Sequence, residues 1–386
     1  MQRLSFLAGA AACAAAVCSC QTYDFEPVTP FTIAQKTQIT KVQAHQLKPD
    51  LMLLIDKSGS MVEPTDCGKA SCPRKIDDLV ATMNILLTDY ATVARTGMAK
   101  FPANDFCAAT SGVDVPLSQS NDVDQELIDS ANAIKKAIGN LTPKGGTPTG
   151  NSLRFLNTYE PLVKGDVNRS KYVLLLTDGQ PNCNDALAPQ AKTCTCTAAP
   201  NASGCQSTDP MGNVLNQCLD HDGAVAAVAA LKKNNVKTAV VGFGKDTSTP
   251  TSRAVLNDMA IAGDFPRSCK TDADCFGSAG GCDTAAGQCV TRFFQASDAV
   301  ELAKALKKIF ADIDPNTICT YRLDEKPTDP AYLSVIFDGQ PLQPGPSTWT
   351  YDPAGKIVFT GDPCAKLTAS TVQNPVHLEF RIVSIP

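Results

Sequence analysis

The run Leu51-Met52-Leu53-Leu54-Ile55-Asp56-Lys57-Ser58-Gly59-Ser60 decides how this chain is read. Its consecutive apolar residues mark a strand buried on both faces, as in a parallel sheet. The run ends by placing one carboxylate and two hydroxyls in a tight turn. Open α/β sheets bind ligands at the carboxyl ends of their strands. Asp56, Ser58 and Ser60 are hard oxygen donors, the type that suits Mg2+ or Mn2+.

Two further segments repeat the arrangement. Gly145-Gly146-Thr147-Pro148-Thr149-Gly150 sets a hydroxyl in a Gly-rich turn just before a helical stretch. Tyr172-Val173-Leu174-Leu175-Leu176-Thr177 is a second apolar strand, and Asp178-Gly179 ends it. The three loops are expected to converge on one ion. Asp and Ser also cap turns and helices without any metal. That alternative leaves the joint presence of all five residues to accident.

Taken in order, these segments resemble the von Willebrand factor A (VWA) domain with its metal-ion-dependent adhesion site. The resemblance maps the family's metal-site residues onto Asp56, Ser58, Ser60, Thr147 and Asp178, and none departs from the pattern. It implies direct ligation by the two serines and the threonine. It implies that the aspartates act directly or through water. One coordination position would stay open for an acidic group of a protein or surface ligand.

The amino end has its own logic. Residues 1–19 carry one charge, Arg3, and an Ala-rich apolar run from Leu4 to Val17. That run is too short to span a bilayer comfortably and reads as a secretory signal. Val17-Cys18-Ser19-Cys20 resembles a bacterial lipobox, with Cys20 the acylated first residue of the mature chain. Gln21 rather than Asp follows it, which favours the outer membrane under the enteric sorting rule. No later apolar stretch is long enough for a transmembrane helix, so the lipid is expected to be the sole membrane anchor. Of 17 cysteines, setting aside Cys13, Cys18 and Cys20 leaves 14, an even number. Disulfides persist in oxidising compartments, so the count agrees with export. The net charge of -5, with no basic tract, argues against nucleic-acid binding.

Strand and helix alternate through residues 49–314, which predicts a doubly wound, mostly parallel α/β sheet. Residues 20–48 are polar, carry Pro27 and Pro30, and read as a tether ending in an edge strand near Ile39 to Val42. Ile76, Leu79, Val80, Met83 and Leu87 fall at helical spacing. Thr96 to Phe101 and Val113 to Leu117 read as short strands. Two Cys-rich inserts, 181–219 and 266–291, break the rhythm. The first begins three residues after Asp178 and should sit beside the metal face. In the second, Cys269, Cys275, Cys282 and Cys289 read as two disulfides with three possible connectivities, and Asp272 and Asp274 as solvated loop acids. Residues 315–386 read as a small β domain of short strands and turns, stapled by Cys319 and Cys364.

Enzymatic readings fare badly. His45, His221 and His377 sit in no nucleophile or zinc motif. No Gly-x-Ser-x-Gly occurs, and Gly145-Gly146 lacks the Lys-Ser/Thr of a phosphate loop. A binding role is expected instead. Beyond the VWA motifs, the mature start Cys20-Gln21-Thr22-Tyr23-Asp24-Phe25-Glu26-Pro27, the phrase KPDLMLLIDKSGSM, the Cys-rich inserts and the Cys-paired β module resemble the VWA lipoprotein adhesins of myxobacterial gliding motility. That resemblance implies an outer-membrane lipoprotein at the cell surface, coupling an envelope motility complex to the substratum. The competing expectation is an envelope scaffold that assembles a membrane complex without adhesion.

Overall fold

The computed structural model describes residues 38–384 except 43, 47, 70, 104–105, 119–122, 167–168, 185, 188–191, 198–204, 209–213, 314–318, 324, 353–354 and 371–375. The expected signal segment 1–19, the expected acylation site Cys20 and the first part of the expected tether lie outside the described residues.

Five strands form the central sheet: β1 (Asp50–Asp56), β2 (Arg95–Phe101), β3 (Lys171–Thr177), β4 (Val236–Phe243) and β5 (Phe294–Ala296). Their spatial order is β5-β4-β3-β1-β2, and each neighbouring pair is parallel. Every residue of β1 and β3 is buried, which is why both read as unbroken apolar runs. The chain starts in the middle of the sheet and winds outward in both directions, so helices must cover both faces.

Alternate side chains of each strand supply the two faces. Leu51, Leu53, Ile55, Leu174 and Leu176 pack on one side, under helices α1 (Lys75–Asp89), α2 (Asp124–Gly139) and α6 (Ala299–Asp312). Met52, Leu54, Val173 and Leu175 pack on the other, under α3 (Thr149–Leu156), α4 (His221–Lys233) and α5 (Pro250–Ala262). Among the described residues no helix is long and apolar enough to cross a membrane.

Three expectations are corrected. Val113 to Leu117 is not a strand; it makes only an isolated antiparallel bridge between Met98 and Val115. The edge strand expected near Ile39 to Val42 is present, but this segment is not a tether. Gln38–Val42 and Ala44–Gln46 pair antiparallel with Leu378–Ser384 and Thr320–Leu323. The small β domain is therefore closed by strands from both ends of the chain, and residues 38–46 belong to it. It also holds a helix, Gly361–Ala369, which carries Cys364.

That domain has two four-stranded sheets. Between them lie Leu323, Val335, Phe337, Ile357, Phe359 and Phe380, with the Cys319–Cys364 disulfide in the same core. The buried Trp349 ring donates Nε1–H to Leu342 O at 2.7 Å. For so small a core the staple contributes about 2–4 kcal/mol.

All 14 cysteines after Cys20 are paired. In the second insert the pairs are Cys269–Cys282 and Cys275–Cys289. Asp274 caps the short turn at Thr271, and Asp272 accepts the Cys282 N–H at 2.7 Å. Both acids thus brace the loop. The fully buried Arg267 anchors this insert by donating to the carbonyls of Asp274 and Phe276.

Deleting residues 38–46 should expose two sheet edges of the small domain. Hydrogen exchange is expected to accelerate at 378–384 and 320–323 while 171–177 keeps its protection. Unchanged exchange at 378–384 would contradict this strand assignment.

Candidate metal centre

The pairing of β1 with β3 sets the geometry. Ile55 lies opposite Leu176 in a parallel register, so β1 and β3 end beside each other, with Asp56 level with Thr177 and Asp178 one residue further on. The two carboxylates are fully buried. Asp56 accepts the Ser58 N–H through Oδ1 and the Thr177 hydroxyl through Oδ2, each at 2.7 Å. It thus stands behind the turn and orients it.

In front, three side chains meet directly. Ser58 Oγ and Ser60 Oγ are 3.1 Å apart. Asp178 Oδ1 accepts from Ser60 Oγ at 2.8 Å and lies 3.5 Å from Ser58 Oγ. The Thr147 loop is stitched onto this cluster through its backbone. Gly59 N–H donates to Gly145 O at 2.9 Å, and Lys144 N–H to Lys57 O at 2.8 Å. Gly145 has φ +80°, a left-handed conformation that glycine adopts without strain. Thr147 lines the same cleft as Ser60 and Asp178. The structure therefore brings Ser58, Ser60 and Asp178 into contact, sets Asp56 just behind them, and places Thr147 on the cleft wall.

Several residues at this site were not foreseen from the sequence. Lys75, the first residue of α1, is 1% exposed. Its ammonium donates to Asp178 Oδ2 at 3.0 Å, Glu63 Oε2 at 3.1 Å and Asp246 Oδ2 at 2.9 Å. Asn182, from the start of the first insert, accepts the Thr147 N–H through Oδ1 at 2.6 Å and donates to Thr197 at 3.1 Å. For Lys75 one signal was available: a cation in the first turn of a helix opposes the helix dipole, so it needs a local reason. Asn182 gave none.

The cleft holds about 580 Å³. Ser60, Glu63, Thr147, Asp178 and Asp246 line it, with Gln180, Asn182, Thr197 and Gln217 along the side of the first insert. Cys107–Cys183, Cys194–Cys218 and Cys196–Cys205 staple that insert, so the disulfides fix one wall.

The electrostatics fit a hard cation. Burial, then the nearby Asp178 charge, push the Asp56 carboxyl up to about 7. Burial also raises Asp178, against the pull of Lys75 and Ser60. Burial alone would lower Lys75, but the Asp178 charge and the bonds to Asp246, Asp178 and Glu63 outweigh it and hold the ammonium above its ordinary range. Asp178, Glu63 and Asp246 thus share the Lys75 ammonium. Clustered carboxylate and hydroxyl oxygens with surplus negative charge are the donor set of Mg2+ or Mn2+. The clustered sulfurs elsewhere, such as Cys269, Cys275 and Cys282, are spent on disulfides.

No protein-family model matches the chain, and no curated protein matches it. Among solved structures it is similar to the pilus adhesin SpaC of Lactobacillus rhamnosus GG in an open conformation, with 16% identity and a TM-score of 0.45, covering 90% of this chain and 40% of that one. It is similar to the manganese-loaded TRAP protein of Plasmodium vivax, with 18% identity and a TM-score of 0.38, covering 71% and 78%. A third is the vWF domain of the type V pilus tip protein Mfa5 of Porphyromonas gingivalis, with 12% identity and a TM-score of 0.37, covering 69% and 95%. The chain thus spans well under two thirds of the length of the pilus adhesin.

Replacing Asn182 with Ala should leave the Thr147 N–H without its side-chain acceptor. A lost bond of this kind corresponds to about tenfold or faster amide exchange at Thr147. Exchange at the wild-type rate would show that Asn182 does not hold the loop.

Proposed function

We propose that this protein is an exported adhesin of the VWA type that binds a carboxylate-bearing ligand through a divalent cation. The observation that carries the reading is the meeting of Ser58, Ser60 and Asp178 at one end of a parallel sheet, with Asp56 behind them and Thr147 across the cleft. Ser58, Ser60 and Thr147 would offer neutral oxygens to the ion. Asp178 and Asp56 would contribute the charge, directly or through water. When bound, Mg2+ or Mn2+ supplies an electrophilic position for a ligand's acidic group.

The protein's own residues do the rest. Thr177 and the Ser58 N–H fix the Asp56 carboxylate. Asn182 and the Gly59–Gly145 contact fix the Thr147 loop. The stapled insert gives the cleft a side of amides and hydroxyls, on which the ligand's polar groups would rest. Acylation at Cys20 would anchor the chain in the outer membrane, with the cleft exposed at the cell surface. Following the resemblance to gliding-motility lipoproteins, the ligand would lie on the substratum and the inner partner in an envelope motility complex.

Capture of ligand-bearing surfaces by intact cells should require Mg2+ or Mn2+ and be lost in EDTA. Asp178→Ala and Ser58→Ala should fall to the EDTA level at normal surface abundance. Wild-type attachment by either variant would reject the adhesion reading. Protection of the protein from protease on intact cells would favour the scaffold role.

A further inference from the structure

Lys75 binds three carboxylates at the cleft, and it does not reach them from the surface. Its side chain is 1% exposed, while Glu63 and Asp246 are 53% and 46% exposed. The stem runs past Gly244, where an added Cβ would lie 2.8 Å from Lys75 Cε. Gly244 has φ +96°, so a bare backbone position makes room for the lysine. The ammonium ties together three separate segments: Glu63 after the β1 turn, Asp178 at the end of β3, and Asp246 after β4.

Asp178 is therefore divided between two duties. Oδ1 faces Ser60 and Ser58, while Oδ2 is held by Lys75. An ion gathered by the serines shares this carboxylate with a fixed positive charge. Like charges on one carboxylate oppose each other. A carboxylate already neutralised on one side also quenches less of an ion's charge.

We infer that Lys75 is a resident counter-cation of the metal centre, a positioning residue that takes the place of the divalent ion at Asp178 and weakens its binding. The inference rests on the reading of this cluster as a divalent-ion site. It has two linked consequences. With no ion bound, Lys75 spares Asp178 the cost of a buried, uncompensated charge. With an ion bound, Lys75 keeps the site short of full neutralisation, so positive charge remains for an incoming acid. The lysine thereby trades ion affinity for ligand affinity.

The test compares wild type, Lys75→Met and Lys75→Gln by Mn2+ titration calorimetry and by thermal melting in EDTA and in saturating Mn2+. Lys75→Gln keeps a donor for Asp178 and removes only the charge, so it stands if the Met variant does not fold. The variants should bind Mn2+ about tenfold or more tightly than wild type. They should melt lower than wild type in EDTA and recover most of that difference in saturating Mn2+. Mn2+ binding by wild type with equal or weaker binding by the variants would overturn the inference alone. So would an equal loss of melting temperature with and without Mn2+, which is the mark of a merely structural lysine. No Mn2+ binding by any of the three proteins would overturn the metal-centre reading together with the inference.

Discussion

Two carboxylates buried at the ends of adjacent parallel strands are the constraint that shapes this protein. Asp56 and Asp178 are withdrawn from water where β1 and β3 stop. A buried charge is costly unless it is paired and hydrogen-bonded. The surroundings supply that compensation in pieces: the Ser58 N–H and Thr177 hydroxyl for Asp56, and the Ser60 hydroxyl and Lys75 ammonium for Asp178. The compensation is incomplete, because Lys75 also serves Glu63 and Asp246. Under the proposed function, that shortfall of positive charge would favour a bound cation.

The rest of the fold keeps those oxygens in place. Helices on both faces bury β1 and β3 completely, so the register that sets Asp56 beside Thr177, one residue before Asp178, has no room to slip. The Ser58–Ser60 turn sits on the end of β1, and Thr147 lies just before α3. The described residues of the first insert are stapled at the cleft by three disulfides. Asn182 connects that loop to Thr147, so the insert both walls the cleft and steadies one of its donors.

What the sequence made legible was whatever is encoded locally. Apolar runs marked β1 and β3, the residues after them marked the site, and helical spacing marked α1. What stayed hidden depends on distant partners. Lys75 meets Asp178 across 103 positions, and no periodicity reports such a contact. Ile39 to Val42 read as an edge strand, but nothing local told that its partner is Leu378–Ser384. The helix Gly361–Ala369 was masked by Gly361, Asp362 and Pro363, which read as a turn. Proline is nevertheless tolerated in the first turn of a helix, where no internal N–H bond is lost. Val113 to Leu117 had strand composition, but only Val115 pairs with the sheet edge through its backbone. The pairing inside the inserts was open because cysteine spacing permits several connectivities.

The most direct measurement is anomalous diffraction at the manganese edge from crystals of this protein grown in Mn2+. A divalent-ion centre predicts one strong peak bounded by the hydroxyls of Ser58, Ser60 and Thr147 and adjoining Asp178. A peak elsewhere, or none at that position with the ion in excess, would contradict the account.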